Sequence, residues 1–147
     1  MALRTGVGIV GVAIFLVVVL NISEGSLAAR FIVGDSARWS FGYNYTDWAI
    51  NNAPFFQYDT LVFKYDPPNS ATFPHSVYLM KNLRSFLECD LSKAILVGNV
   101  TQGDGQGFEF LLKKRKTHYF ACGERNGTHC KIGLMKFSVL PKRPCEA

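Results

Sequence analysis

Between Tyr119 and Lys136 the chain carries Cys122, His129, Cys130 and Met135. A thiolate, an imidazole and a thioether are soft or borderline donors, and together they suit copper better than magnesium or calcium. The set lacks a second imidazole, which His75 upstream supplies. Two histidines and one cysteine with a weak axial methionine make an electron-transfer site. Such a site leaves no firm vacancy for substrate, unlike the zinc hydrolases, which keep one position open. Each residue also has a plainer reading. His75 can be a strand histidine satisfied by hydrogen bonds, and His129 a solvated loop residue. Met135 can be core packing. Cys122 can sit in a disulfide, with Cys145 as one partner, since four cysteines allow three complete pairings. His118 reads as structural. A zinc site built from His118, Cys122, His129 and Cys130 fits no standard zinc spacing.

The flanking segments read as strands. Thr60 to Tyr65 is the clearest, rich in β-branched and aromatic residues. Phe31 to Val33, Phe73 to Met80, Ala94 to Val97 and Met135 to Leu140 are further candidates. Phe108 to Leu112 is expected to pair with Thr117 to Ala121 as a hairpin across Lys113-Lys114-Arg115-Lys116, a solvated basic turn. Tyr45 to Ile50, with Trp48 buried, reads as a short helix or turn. Lys81 to Cys89 reads as one or two helical turns, with Leu83, Phe86 and Leu87 at i, i+3 and i+4. Asp66-Pro67-Pro68 cannot feed a ladder and is a loop. Phe55, Phe56, Tyr58, Phe63 and Tyr65 read as core and rim, and Asp35, Trp39 and Trp48 as residues of the fold. Short strands between turn signals, with little helix, predict an all-β sandwich or barrel.

The 147 residues suffice for one domain. Residues 1–29 have the pattern of a secretory signal: Arg4, an apolar run from Val7 to Leu20, and small residues at Ser26, Ala28 and Ala29. The run is short for a membrane span, which needs about 20 residues. The expected domain is 30–140, followed by a short tail, 141–147, without the apolar end of a lipid-anchor signal. Secretion implies an oxidising compartment. Asn44, Asn99 and Asn126 begin Asn-x-Thr sites for glycosylation, and a fourth site, at Asn21, goes with the signal. The net charge of +5 is mild and carries no sign of nucleic-acid binding. Contact of the basic run with a cell-wall polysaccharide is the weaker reading of that run.

In order along the chain stand Val33-Gly-Asp35 with Trp39, Tyr45-Thr-Asp-Trp-Ala49, Phe56 to Tyr65, His75-Ser-Val77, Cys89, Tyr119-Phe-Ala-Cys-Gly123 and His129-Cys-Lys-Ile-Gly133. This ordered set resembles the plant phytocyanins, small secreted blue-copper proteins. The resemblance implies a cupredoxin-like Greek-key β-sandwich with one or two short helices. It implies one type 1 copper ion on His75, Cys122, His129 and an axial residue near 134–135. It also implies a disulfide joining Cys89 to Cys130, which leaves Cys145 over. Three departures stand out. Seven residues separate Cys122 from His129 where the family has five. The family's axial position falls on Leu134. Tyr58 replaces a glycine before Asp59.

Alternation decides the second departure. With Met135 inward, Phe137 and Val139 point inward too, while Lys136 and Ser138 face solvent. With Leu134 inward, Lys136 enters the core unpaired, at a cost of several kcal/mol. The register therefore favours Met135. The functional expectation is a secreted, non-enzymatic, monomeric one-electron carrier of the apoplast, whose redox partner is unknown. The alternative is a copper-free extracellular or cell-wall glycoprotein, to which the long loop and its site at Asn126 lend weight.

Overall fold

The computed structural model describes residues 27–144. The predicted signal, apart from its last three residues, and Cys145 lie outside that range. Seven short strands form two sheets. The first contains β1 (Arg30–Ile32), β2 (Thr60–Phe63) and β5 (Phe108–Leu111), with β1 parallel and β5 antiparallel to β2. The second runs β4 (Ile95–Gly98), β3 (Val77–Leu79), β6 (His118–Ala121) and β7 (Lys136–Val139), antiparallel throughout. The result is the two-sheet β-sandwich that the strand pattern predicts, in the cupredoxin-like form that the resemblance implies.

The core joins the sheets through aromatic side chains. Trp39, Phe63, Phe120 and Phe137 are fully buried, and Phe137 packs on Trp39, Trp48, Phe63 and Phe120. Rings at offset or edge-on geometry add about 0.5–1.5 kcal/mol per pair beyond their buried area. Strand β2 carries Leu61, Val62 and Phe63 fully buried, so both of its faces are covered.

Helix α1 (Tyr45–Asn51) starts where the Asn44 side chain accepts from the Asp47 N–H at 3.2 Å. It buries Tyr45, Trp48 and Ala49. Helix α2 (Leu83–Glu88) is capped likewise by Asn82, which accepts from Ser85. Helix α3 (Thr128–Lys131) is a single turn that holds His129 and Cys130.

Several expectations need correction. Strands β5 and β6 do not form a hairpin. β5 pairs with β2 and β6 with β3 and β7, so the basic turn crosses from one sheet to the other. Its four cations are exposed, as expected of a solvated turn. The strand expected from Phe73 is regular only from Val77, because Pro74 interrupts it. Among the described residues there are three short α-helices where one or two were expected. Of the apolar positions of α2 only Phe86 packs inward, half-buried against Tyr119; Leu83 and Leu87 are exposed. Asn82 at one end and the Cys89 disulfide at the other hold that helix together with the Phe86 contact.

Candidate metal centre

His75 lies two residues ahead of β3, and Cys122 directly follows β6. The pairing of Tyr78 with Ala121 sets them side by side. Two bonds to Ser76 fix the approach: its carbonyl accepts from Trp39 Nε1 at 3.0 Å, and its hydroxyl accepts from the Gly123 N–H at 3.3 Å. Gly123 is required here, because a Cβ would stand 2.3 Å from the Tyr78 ring.

His129 returns to the same point despite the long connection. Arg125, Asn126 and Gly127 all take positive φ, which curls the extra residues outward. Hydrogen bonds from Gly127 to Gly123 and from Thr128 to Arg125 then start α3. The next residue, Cys130, is tied to Cys89 by a disulfide with Cα atoms 5.9 Å apart. The pairing that the resemblance implies is thus present, and Cys122 is the free, buried cysteine among the described residues.

The donors converge. His75 Nδ1 and His129 Nδ1 are 3.2 Å apart, and Cys122 Sγ lies 3.5 Å from His129 Nδ1 and 4.0 Å from His75 Nδ1. Donors about 2.0–2.3 Å from a shared centre, spread in a plane, stand roughly 3.5–3.8 Å from one another. The observed spacing therefore fits one cation, and the two nitrogens with one sulfur suit type 1 copper. Among the described residues this is the group of His, Cys, Asp and Glu side chains close enough to hold a metal. His118 and Cys130 do not join it, so the alternative zinc set does not assemble. His118 stacks on Phe120 instead, with Nδ1 buried and unpartnered.

Met135 is fully buried, while Leu134 is exposed with φ +55°. The additional residue of the loop is taken up at Leu134, turned outward in the left-handed region. Met135 accepts through its carbonyl from the Cys122 N–H at 2.9 Å and donates its N–H to the His129 carbonyl at 3.1 Å. Phe137 and Val139 are buried and Ser138 is exposed, as alternation predicts. Lys136 is half-buried; its Nζ meets the Phe86 and Leu87 carbonyls at the end of α2, each at 3.1 Å.

Burial sets the protonation states. It pushes the Cys122 thiol up to about 11, against the partial help of the Ser76 N–H, which points at Sγ from 3.5 Å. Burial, then the charge of His129, pulls His75 down to about 4, with Asp66 opposing. His129 is lowered, again mainly by burial. At neutral pH the centre thus presents two neutral imidazoles ready to donate and one thiol whose proton a cation must displace.

Sequence reading missed three contributors. Phe41 packs edge-on against the His129 ring at 5.4 Å, and Gly133 leaves room for it. The Ser76 N–H reaches the sulfur, and the Arg125 guanidinium covers Phe73 at 4.5 Å. Ser76 stood inside the motif at His75; nothing in the spacing marks Phe41 or Arg125. The glycosylation sites Asn44, Asn99 and Asn126 are all exposed.

Residues 39–134 match the family model of the plastocyanin-like domain. The chain is 34% identical to a blue copper protein of Pisum sativum over 129 residues, 87% of this chain and 60% of that protein. It is 30% identical to blue copper protein 1b of Medicago truncatula over 121 residues, 82% and 66% of the two chains. The chain spans about three fifths to two thirds of the length of these curated relatives. Among solved structures, cucumber basic protein, a blue copper protein, superposes with a TM-score of 0.59 at 27% identity, covering 78% of this chain and all of that one. Cucumber stellacyanin gives 0.59 at 28% identity, covering 80% and 98%.

Proposed function

Because the chain belongs to the family of plastocyanin-like domains, we propose that it is a secreted carrier of single electrons built around one type 1 copper ion. The observation that carries this reading is the meeting of His75, Cys122 and His129 within 4.8 Å of one another, with Cys122 left out of the disulfide. His75 and His129 would hold the ion through Nδ1 and Cys122 through its thiolate, with Met135 as the weak axial thioether. Bound there, the ion supplies a one-electron Cu(II)/Cu(I) couple.

The chain's own part is to keep the donors still. Three of the four side chains are buried, and the fourth, His75, precedes a buried serine pinned by Trp39. The disulfide anchors the residue after His129. The Ser76 N–H toward Sγ stabilises negative charge on the sulfur. A site whose ligands do not move between oxidation states has little reorganisation to overcome. The copper-free alternative drew its weight from the long Cys122–His129 connection and from the glycosylation site at Asn126 inside it, which is exposed. That connection turns outward without separating the donors, which favours the carrier. Passage through the secretory route is supported by the signal-like residues 1–29 and by three exposed glycosylation sites.

Voltammetry on the copper-loaded domain tests the proposal. It predicts a reversible one-electron wave with one copper per chain. An irreversible wave, or no copper retained after dialysis, contradicts it.

A further inference from the structure

A cleft of about 590 Å³ opens beside the donors, with His75 and His129 in its lining. Its volume falls in the range of small-molecule sites, roughly 300–1,000 Å³. Two phenyl rings on its walls face solvent over more than half their surface: Phe41 at 51% and Phe73 at 63%. Exposed large aromatics beside a concavity mark a binding surface more than a folding need. The walls also carry Arg38, Lys64 and Arg125 against one carboxylate, Asp66. Asp66 is engaged by Arg38 at 3.0 Å. Lys64 and Arg125 remain, opposed only in part by the Glu124 carboxylate whose charge reaches His129, so the cleft is net positive, and the Arg125 guanidinium already lies over the Phe73 ring. Apolar rings beside a net positive wall complement a flat apolar body bearing one negative charge.

We propose that this cleft binds a small aromatic carboxylate, its ring against Phe41 and Phe73 and its carboxylate met by Lys64 and Arg125. The proposal rests on the carrier reading only in placing the ligand beside the imidazoles that would hold copper. Binding itself needs no electron transfer. A concave site of this size suits a small molecule better than the flat face of a protein.

The test is calorimetric titration of the copper-loaded domain with 3-phenylpropanoate and, separately, with 3-phenylpropylamine, the same ring bearing the opposite charge. Neither probe is redox-active. The acid is expected to bind with a Kd on the order of 1 mM or tighter, and the amine at least about tenfold more weakly. Lys64→Glu and Phe73→Ala should each weaken the acid by about fivefold or more, with the visible band of the copper protein reporting that the variants are folded. Repeating the titration on the metal-free domain should give a Kd within about threefold of the loaded one. Binding that appears only with copper present assigns the carboxylate to the metal and overturns the proposal. So do equal affinities for acid and amine, or indifference to both substitutions. Binding by a domain that fails to take up copper when Cu(II) is supplied keeps the cleft and refutes the carrier.

Discussion

Cys122 shows how one side chain can set the behaviour of the whole centre. Its thiol sits at about 11 in the folded chain, while His75 titrates near 4 and His129 below its ordinary range. At pH 7 the only proton in the way of a cation is therefore the one on sulfur. Copper(II) uptake at pH 7 should release about one proton per chain, measured by calorimetry in buffers of different ionisation enthalpy. Cys122→Ser should release close to none; equal release from both would remove the thiolate from the site. Tyr58 is a second single-residue case. It holds φ +76° with its side chain half exposed, ahead of Asp59, whose buried carboxylate accepts from Ala29 and Phe56. A non-glycine residue in that region costs about 1–2 kcal/mol, of which a glycine's extra chain entropy returns part. Tyr58→Gly should raise stability by about 0.5–1 kcal/mol in urea unfolding; a loss would mean that the tyrosine ring packs usefully.

At the scale of elements, caps and ties add to apolar packing in holding the short helices. Helix α1 has seven residues and depends on Asn44 for its first turn. Asn44→Ala should cost about 1 kcal/mol, measured on protein made without glycosylation so that only the cap is lost. Helix α2 ends on Lys136, whose ammonium meets two of its terminal carbonyls and lies over the Phe86 ring. Lys136→Met should cost about 1 kcal/mol by taking the ammonium from the Leu87 carbonyl and from the Phe86 carbonyl, which keeps the Cys89 N–H; no change would make the tie incidental. These elements also show what the sequence made legible. The alternation Met135, Phe137, Val139 carried its own register because one face of β7 is buried. The failed hairpin between β5 and β6 had no such guide: both strands alternate acceptably on either sheet, and only long-range pairing decides. The outward curl at Arg125 to Gly127 was only partly marked: Asn126-Gly127 favours positive φ, whereas positive φ at Arg125 follows no local preference.

For the molecule as a whole, the two sheets act as a clamp, with Cys122 just after β6, Met135 just ahead of β7, His75 just ahead of β3 and His129 on α3. The donor residues were readable because their types and order are rare together; the cleft was not, because its walls come from four separate segments. Burial of the imidazoles makes the metal-free domain acid-sensitive. His75, His118 and His129 all have folded values below the unfolded 6.5, so the unfolded chain takes up protons that the folded chain refuses. Stability is thus full above about pH 7 and falls as pH drops from about 6.5 toward 4, the window that His75 defines. His75 alone should account for about 1–2 kcal/mol between pH 7 and 5, after allowance for its partial exposure. Urea midpoints across that range check the sign; a flat profile would place the imidazoles in solvent. The most direct measurement of the central claim is the visible absorption of the domain after one equivalent of Cu(II). An intense thiolate-to-copper band, absent in Cys122→Ser, is the predicted result. A spectrum showing only the weak absorption of copper held by nitrogen and oxygen, unchanged by that substitution, would contradict it.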